Sequence, residues 1–222
     1  MTFTSHDNRG DLFFTGASRY ELYDAFFNSK HLYNPIRFVY TLQNISNTSY
    51  VQKLDSFSMK TGEPLTTDTV WNVLVDLKKR RPTPATPHFL SAFIGKATEP
   101  LNIETTPFTP AEKPATSDVM SHDVIVDTNV LDYYSHTNQA NYLKFVVDAV
   151  SSLTFSGKLK LSRNDFAEEK VKRMQMVFKN EAVPGQTLRV FCWKGNDSQT
   201  LNFQLENCKK NIVVFQCCLE LY

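Results

Sequence analysis

NQANYLKFVVDAVSSL, residues 138–153, places apolar side chains at Ala140, Leu143, Val147 and Val150, with Val146 and Leu153 widening the stripe. Recurrence at three and four residues is the helical period, so the spacing predicts a helix with one broad buried face. Asn138 or Thr137 is the expected cap, since a short polar side chain there accepts a bond from a first-turn N–H. On both sides of this helix the period changes. Upstream, residues 123–127 form a short β-branched run. Downstream, Met174, Met176 and Phe178 alternate with Arg173, Gln175 and Lys179, and a Pro184-Gly185 turn precedes a strand at 188–193. A Gly195-Asn196-Asp197 turn leads to Leu201, Phe203 and Leu205 alternating with Asn202, Gln204 and Glu206, and Lys209-Lys210-Asn211 leads to a last strand at 212–221. Strand, long helix, then a meander of strands is an α+β layer solution.

The first half repeats this order more loosely. Residues 11–15 are strand-like, and residues 19–31 set Tyr20, Tyr23, Phe26, Phe27 and His31 near one helical face. Residues 36–42 read as strand, and 50–59 and 69–77 as a hairpin around Lys60-Thr61-Gly62-Glu63, with a final strand at 88–94. Pro82, Pro84 and Pro87 interrupt the sheet before it. Between the halves, Pro100, Pro107, Pro110 and Pro114 fall in a stretch with little periodicity, the composition of an extended linker. The expected organisation is therefore an N-terminal unit at 1–97, a linker at 98–121 and a C-terminal unit at 122–222. Two such units can pair their sheets into an internal dimer, which hides two edges.

Bulk composition narrows the function classes. The 222 residues carry 24 basic against 23 acidic side chains, so no electrostatic footprint for nucleic acid is visible, and Lys78-Lys79-Arg80-Arg81 reads as a solvated strand end. The 17 Phe and 9 Tyr supply the core. Cys192, Cys208, Cys217 and Cys218 show no metal spacing and read as reduced thiols packed in a cytoplasmic core, with the adjacent pair on opposite strand faces. The amino terminus has no apolar signal core and no stretch approaches a membrane span, so Asn44-Ile45-Ser46 and Asn47-Thr48-Ser49 read as turns rather than glycosylation acceptors.

Two segments go further. DYYSHTNQANYL, residues 132–143, resembles the Asp-x-x-Gly-His-Val-Asn-Asn-x-x-Tyr-Leu signature of hotdog acyl-CoA thioesterases, such as the 4-hydroxybenzoyl-CoA type. It is also similar to the Asp-x-Asn-x-His-Val-Asn-Asn segment of the acyl-carrier-protein thioesterases, which are double hotdogs. MVFKNEAVPGQTL, residues 176–188, resembles the strand-Glu-x-x-x-Gly-Asp-x-Leu segment that follows the helix in these families. The double-hotdog type also accounts for the length and the duplicated order. The resemblance implies a fold of two tandem hotdog units, each a long helix wrapped by a curved antiparallel sheet, the first shaping an acyl tunnel and the second carrying the chemistry.

It also implies an acyl thioester hydrolase acting on acyl-CoA or an acyl carrier protein, with no cofactor or metal, as a monomer with an internal pseudo-dimer or as a homodimer. Residue by residue, Asp132 corresponds to the aspartate that attacks the carbonyl or activates water, and His136 to the histidine that orients or polarises groups at the thioester. Glu181 is their partner from across the sheet, and Tyr134, Asn138 and Tyr142 are substrate contacts. Backbone N–H groups near Asn138 are the expected oxyanion donors, because first-turn groups lack intrahelical partners. Taken singly, Asp132 reads equally as a turn acceptor, His136 as a partner for a buried carbonyl, and Glu181 as solvated surface. The departures are Tyr134 for Asn, Ser135 for Gly, Thr137 for Val and Gln139 for Asn, with residues 156–169 as an insertion before Glu181. Tyr134 and Ser135 motivate a second reading, a non-catalytic acyl-binding or scaffold protein. A third is a related lyase such as an acyl dehydratase, whose Asp-x-x-x-x-His opening is one residue longer than the interval here.

Overall fold

The computed structural model describes residues 11–28, 34–76, 78–79, 81–85, 108–116, 118–132, 137–161, 166–197 and 199–222. The chain divides into two compact units, Met1–Pro107 and Phe108–Tyr222.

In the first unit an antiparallel sheet runs in the order β2 (Ile36–Ile45), β3 (Ser49–Ser58), β4 (Pro64–Asp76), β1 (Asp11–Leu22), and the two-residue β5 (Arg81–Pro82) pairs with β4. Local chemistry sets both hairpin turns. At the first, the Ser46 hydroxyl accepts from the N–H groups of Thr48 (3.3 Å) and Ser49 (3.0 Å), an ST-type turn that takes Asn47 out of the ladder. At the second, Gly62 adopts φ +75°, the left-handed region that glycine enters without a Cβ penalty. The helix expected at 19–31 is not formed over its described residues, 19–28. Residues 19–22 belong to β1, which pairs with β4 along its whole length apart from a bulge between Thr15 and Ala17, and only Asp24–Phe27 makes a 3-10 turn. The i, i+2 relation of Ser18, Tyr20 and Leu22 fits a strand as well as their aromatic neighbours fit a helix, and cross-strand pairing decides between them. No α-helix occurs among this unit's described residues, and the strand expected at 88–94 lies outside them.

The second unit follows its reading closely. Its antiparallel sheet has the order β7 (Val171–Phe178), β10 (Ile212–Leu221), β9 (Thr200–Asn207), β8 (Thr187–Lys194), β6 (Met120–Ile125). Helix α1 (Gln139–Phe155) packs on it through Tyr142, Phe145, Val146, Ala149, Val150 and Leu153, all buried. The register sets Leu188, Val190 and Cys192 beside Leu201, Phe203 and Leu205, and these beside Phe215, Cys217 and Leu219 and then Met174, Met176 and Phe178. This single face is the core, and each fully buried Leu or Phe on it contributes about 1.5–3 kcal/mol relative to exposure. A long amphipathic helix on one face of an antiparallel sheet is the hotdog arrangement.

The opposite face of this sheet is polar yet largely covered. Gln216 donates to Gln204 (2.7 Å), Gln204 to Glu206 (2.7 Å), and Lys113 to Glu206 (2.6 Å) while lying 3.6 Å from the Phe191 ring centroid. Part of the stretch read as a linker is thus fastened to the sheet by a charged pair and a cation–π contact. Gly195, at the β8–β9 turn, has no room for a side chain, since a Cβ would lie 2.8 Å from Thr200. Cys217 faces the core and Cys218 the other side, as strand alternation requires, whereas Cys208 is exposed rather than packed because it falls in the β9–β10 turn.

Candidate functional site

The amino end of α1 is built by a set of backbone clamps. Asp127 caps a 3-10 turn at Thr128–Val130, its carboxylate accepting from the Asn129 N–H at 3.1 Å. The Val130 carbonyl then accepts twice, from the Asn138 N–H and from Asn141 Nδ2, both at 2.9 Å. Leu131 and Thr137 pair as an isolated antiparallel bridge. Leu131 and Thr137 are therefore held to each other directly before the helix. Asn138 is the cap, accepting from the Ala140 N–H at 3.0 Å.

From the other side of the unit comes the chain after β7. Ala182 is completely buried and both of its backbone groups are held by the helix entrance. Its N–H donates to the Tyr142 hydroxyl at 3.1 Å, and its carbonyl accepts from Thr137 Oγ1 at 2.8 Å. Tyr142 is fixed in turn by its ring, stacked on Phe215 at 5.2 Å and edge-on to Phe178 at 5.6 Å. Beyond Ala182, Pro184-Gly185 turns the chain with Gly185 at φ +79°, and Gly185 and Val126 exchange backbone bonds with the neighbouring strand end (Gly185 N–H to the Val126 carbonyl, 2.9 Å; Val126 N–H to the Gln186 carbonyl, 2.9 Å). Because Ala182 is locked, the half-exposed Glu181 beside it is held close to the helix entrance. Burial pushes the Tyr142 hydroxyl above the usual tyrosine range, the Ala182 bond opposes this, and the nearby Glu181 carboxylate adds to the rise.

Among the residues singled out in the sequence, Asn138 caps the helix, Tyr142 in its first turn lies near the Glu181 carboxylate, and Asp132, half-exposed, follows the bridge residue Leu131. His136 and Tyr134 lie outside the described residues. Tyr142, read as a substrate contact, is 5% exposed and its hydroxyl accepts from the N–H of Ala182, the residue next to Glu181. The expected oxyanion donors need correction. The N–H groups of Asn138, Ala140 and Asn141 are engaged by Val130, the Asn138 side chain and the Asn138 carbonyl, because the cap and the tight first turn consume them. The Gln139 N–H is the first-turn donor without a partner among the described residues. Thr137, Asn141 and Ala182 were missed as positioning residues. The available signal was a hydroxyl directly before a helix cap, a group that needs a bonding partner once buried.

No group of three or more His, Cys, Asp or Glu that could hold a metal occurs among the described residues, and no helix among them is long and apolar enough to cross a membrane. A separate open cleft of about 900 Å³ lies near the other end of α1, lined in part by Lys158, Lys160 and Lys194.

In sequence, no protein-family model and no curated protein matches the chain. In three dimensions it is similar to the 12:0-ACP thioesterase from Umbellularia californica, with a TM-score of 0.72 at 12% identity over 97% of this chain and 76% of that one. It is likewise similar to an acyl-ACP thioesterase from Bacteroides thetaiotaomicron, with a TM-score of 0.68 at 15% identity over 96% of this chain and 77% of that one. Helix, sheet order and these likenesses together define the class: a protein of hotdog fold. Within that class, the fold is the one seen in acyl-ACP thioesterases.

Proposed function

We propose that the protein is an acyl thioester hydrolase of tandem-hotdog type, taking acyl-CoA or an acyl carrier protein as substrate, with units close to residues 1–97 and 122–222. The observation that supports this reading is the clamp of Tyr142 and Thr137 on Ala182, the residue after Glu181, which ties the chain there to the helix entrance that follows Asp132. Thioester hydrolysis needs a carboxylate to attack or to activate water, a donor for the developing oxyanion, and a second polar group to manage the proton. Asp132 fills the first role and His136 and Glu181 share the third. Asn138 and Tyr134 contact the substrate near the Gln139 N–H, which serves as an oxyanion donor at the positive end of the helix dipole. In the balanced step, water adds its oxygen to the carbonyl and gives its proton to the carboxylate. The C–S bond then breaks, and the leaving thiolate takes up that proton.

The test is release of free thiol by the purified full chain from a panel of acyl-CoA and acyl-carrier-protein substrates of graded chain length. No release from any of them by folded protein would overturn the proposal. The engaged first-turn N–H groups, together with Tyr134 in place of an amide, favour a second reading, an acyl-binding protein without turnover. Native mass spectrometry finding a retained acyl ligand that survives Asp132→Ala, with no thiol release, would select it.

A further inference from the structure

Strand β2 ends the sheet of the first unit, with β3 on one side and no described strand on the other. Sheet edges are ordinarily kept short or carry charge, because an open row of N–H and C=O groups is a template for another strand. The terminal strand of the second unit follows that rule: β6 has six residues and carries His122 and Asp123, the latter paired with Arg189 at 2.7 Å. Strand β2 does not. It has ten residues, its one charge is Arg37, and Ile36 (44%), Phe38 (61%), Val39 (39%) and Tyr40 (50%) are all exposed. Arg37 itself leans back over the Phe57 ring, 5.0 Å from its centroid, and so leaves the edge apolar.

We infer that β2 is the pairing edge of a homodimer, joined antiparallel to β2 of a second copy of this chain about a two-fold axis at Val39. An isologous antiparallel pair requires a strand that is complementary to itself. The regular part of β2, residues 36–42, ends at a bulge between Leu42 and Asn44, and its midpoint is Val39. Centring there sets Phe38 against the second copy's Tyr40 and Arg37 against its Thr41, an aromatic cross-strand pair with no like charges opposed. Centring at Arg37 would oppose two guanidinium groups. This inference does not depend on the proposed function.

The test is the mass of the full chain by sedimentation and light scattering over a series from low micromolar to hundreds of micromolar, since one strand pair is a small interface. The expected result is a concentration-dependent rise that levels off at twice the mass of one chain. Phe38→Lys with Tyr40→Lys abolishes the doubling, because lysine then faces lysine. Phe38→Lys with Tyr40→Glu restores it, because in the Val39 register each introduced lysine faces a glutamate; this variant also separates lost pairing from lost folding. Phe155→Lys, at a side chain 97% exposed on α1, leaves the doubling intact. A single-chain mass at every concentration, association that grows without levelling off, or a doubled mass in the double-lysine variant would each overturn the inference.

Discussion

Replacing Tyr142 by Phe isolates the clamp that organises the helix entrance. The ring keeps its stack on Phe215 and its edge contact with Phe178, so packing is conserved and only the hydroxyl is lost. The Ala182 N–H then has no acceptor, and Ala182 is 0% exposed, so water cannot replace it. Leaving a buried donor unsatisfied costs about 1–3 kcal/mol. Thr137→Val removes the donor to the equally buried Ala182 carbonyl and likewise costs about 1–3 kcal/mol. Because both bonds hold one residue, the two changes are expected to couple by at least about 0.5 kcal/mol in a double-mutant cycle. Hydrogen exchange at the Ala182 amide reads the local opening free energy directly and avoids the ambiguity of whole-chain unfolding in a two-unit protein. Thiol release measured on the same variants should fall as Glu181 loosens. An Ala182 opening energy in Tyr142→Phe within about 0.5 kcal/mol of the parent, or strictly additive changes, would refute the clamp as the element that fixes this site.

Asp132→Ala is expected to lower turnover by orders of magnitude without altering the unfolding midpoint, and His136→Ala by about 10²–10⁴-fold, as read by thiol release. Asn138→Ala should cost about 1 kcal/mol, because the cap bond to the Ala140 N–H disappears, measurable as faster amide exchange in the first turn of α1. Burial pushes the Asp68 carboxyl up to about 7, so the folded state holds its proton more tightly than the unfolded chain does. Its contribution is full below the ordinary carboxylate range and is lost as pH rises through about 7. Asp68→Asn should therefore gain stability relative to the parent between pH 5 and pH 8 in urea titrations, and a constant difference across that window would count against it. Burial also raises the Cys192 thiol to about 12, Cys218 to about 11 and Cys217 well above its ordinary value, whereas Cys208 is exposed. Brief alkylation of the folded protein, mapped by mass spectrometry, should label Cys208 first.

The second unit was legible because its periodicities are local. Helix spacing at 138–153 and alternation in β7 and β9 each follow from which side chains must meet the same core, and the cap at Asn138 lies next to the residues it serves. The pairing of segments 132–143 and 176–188 through a family resemblance pointed to the helix entrance, and the Ala182 backbone next to Glu181 is bonded to Tyr142 and Thr137 there. The sequence of residues 19–31 was ambiguous, because aromatic residues at those intervals satisfy both a helix and a strand, and only pairing with β4 selects the strand. Tertiary structure alone decided that Tyr142 faces a backbone amide rather than open space, that Thr137 and Ala182 join segments far apart in the chain, and that the Val130 carbonyl takes the Asn138 N–H expected for an oxyanion. Such bonds depend on which backbone groups are left over once sheet and helix have formed. That remainder is a property of the assembled fold, and no local pattern of residue types encodes it.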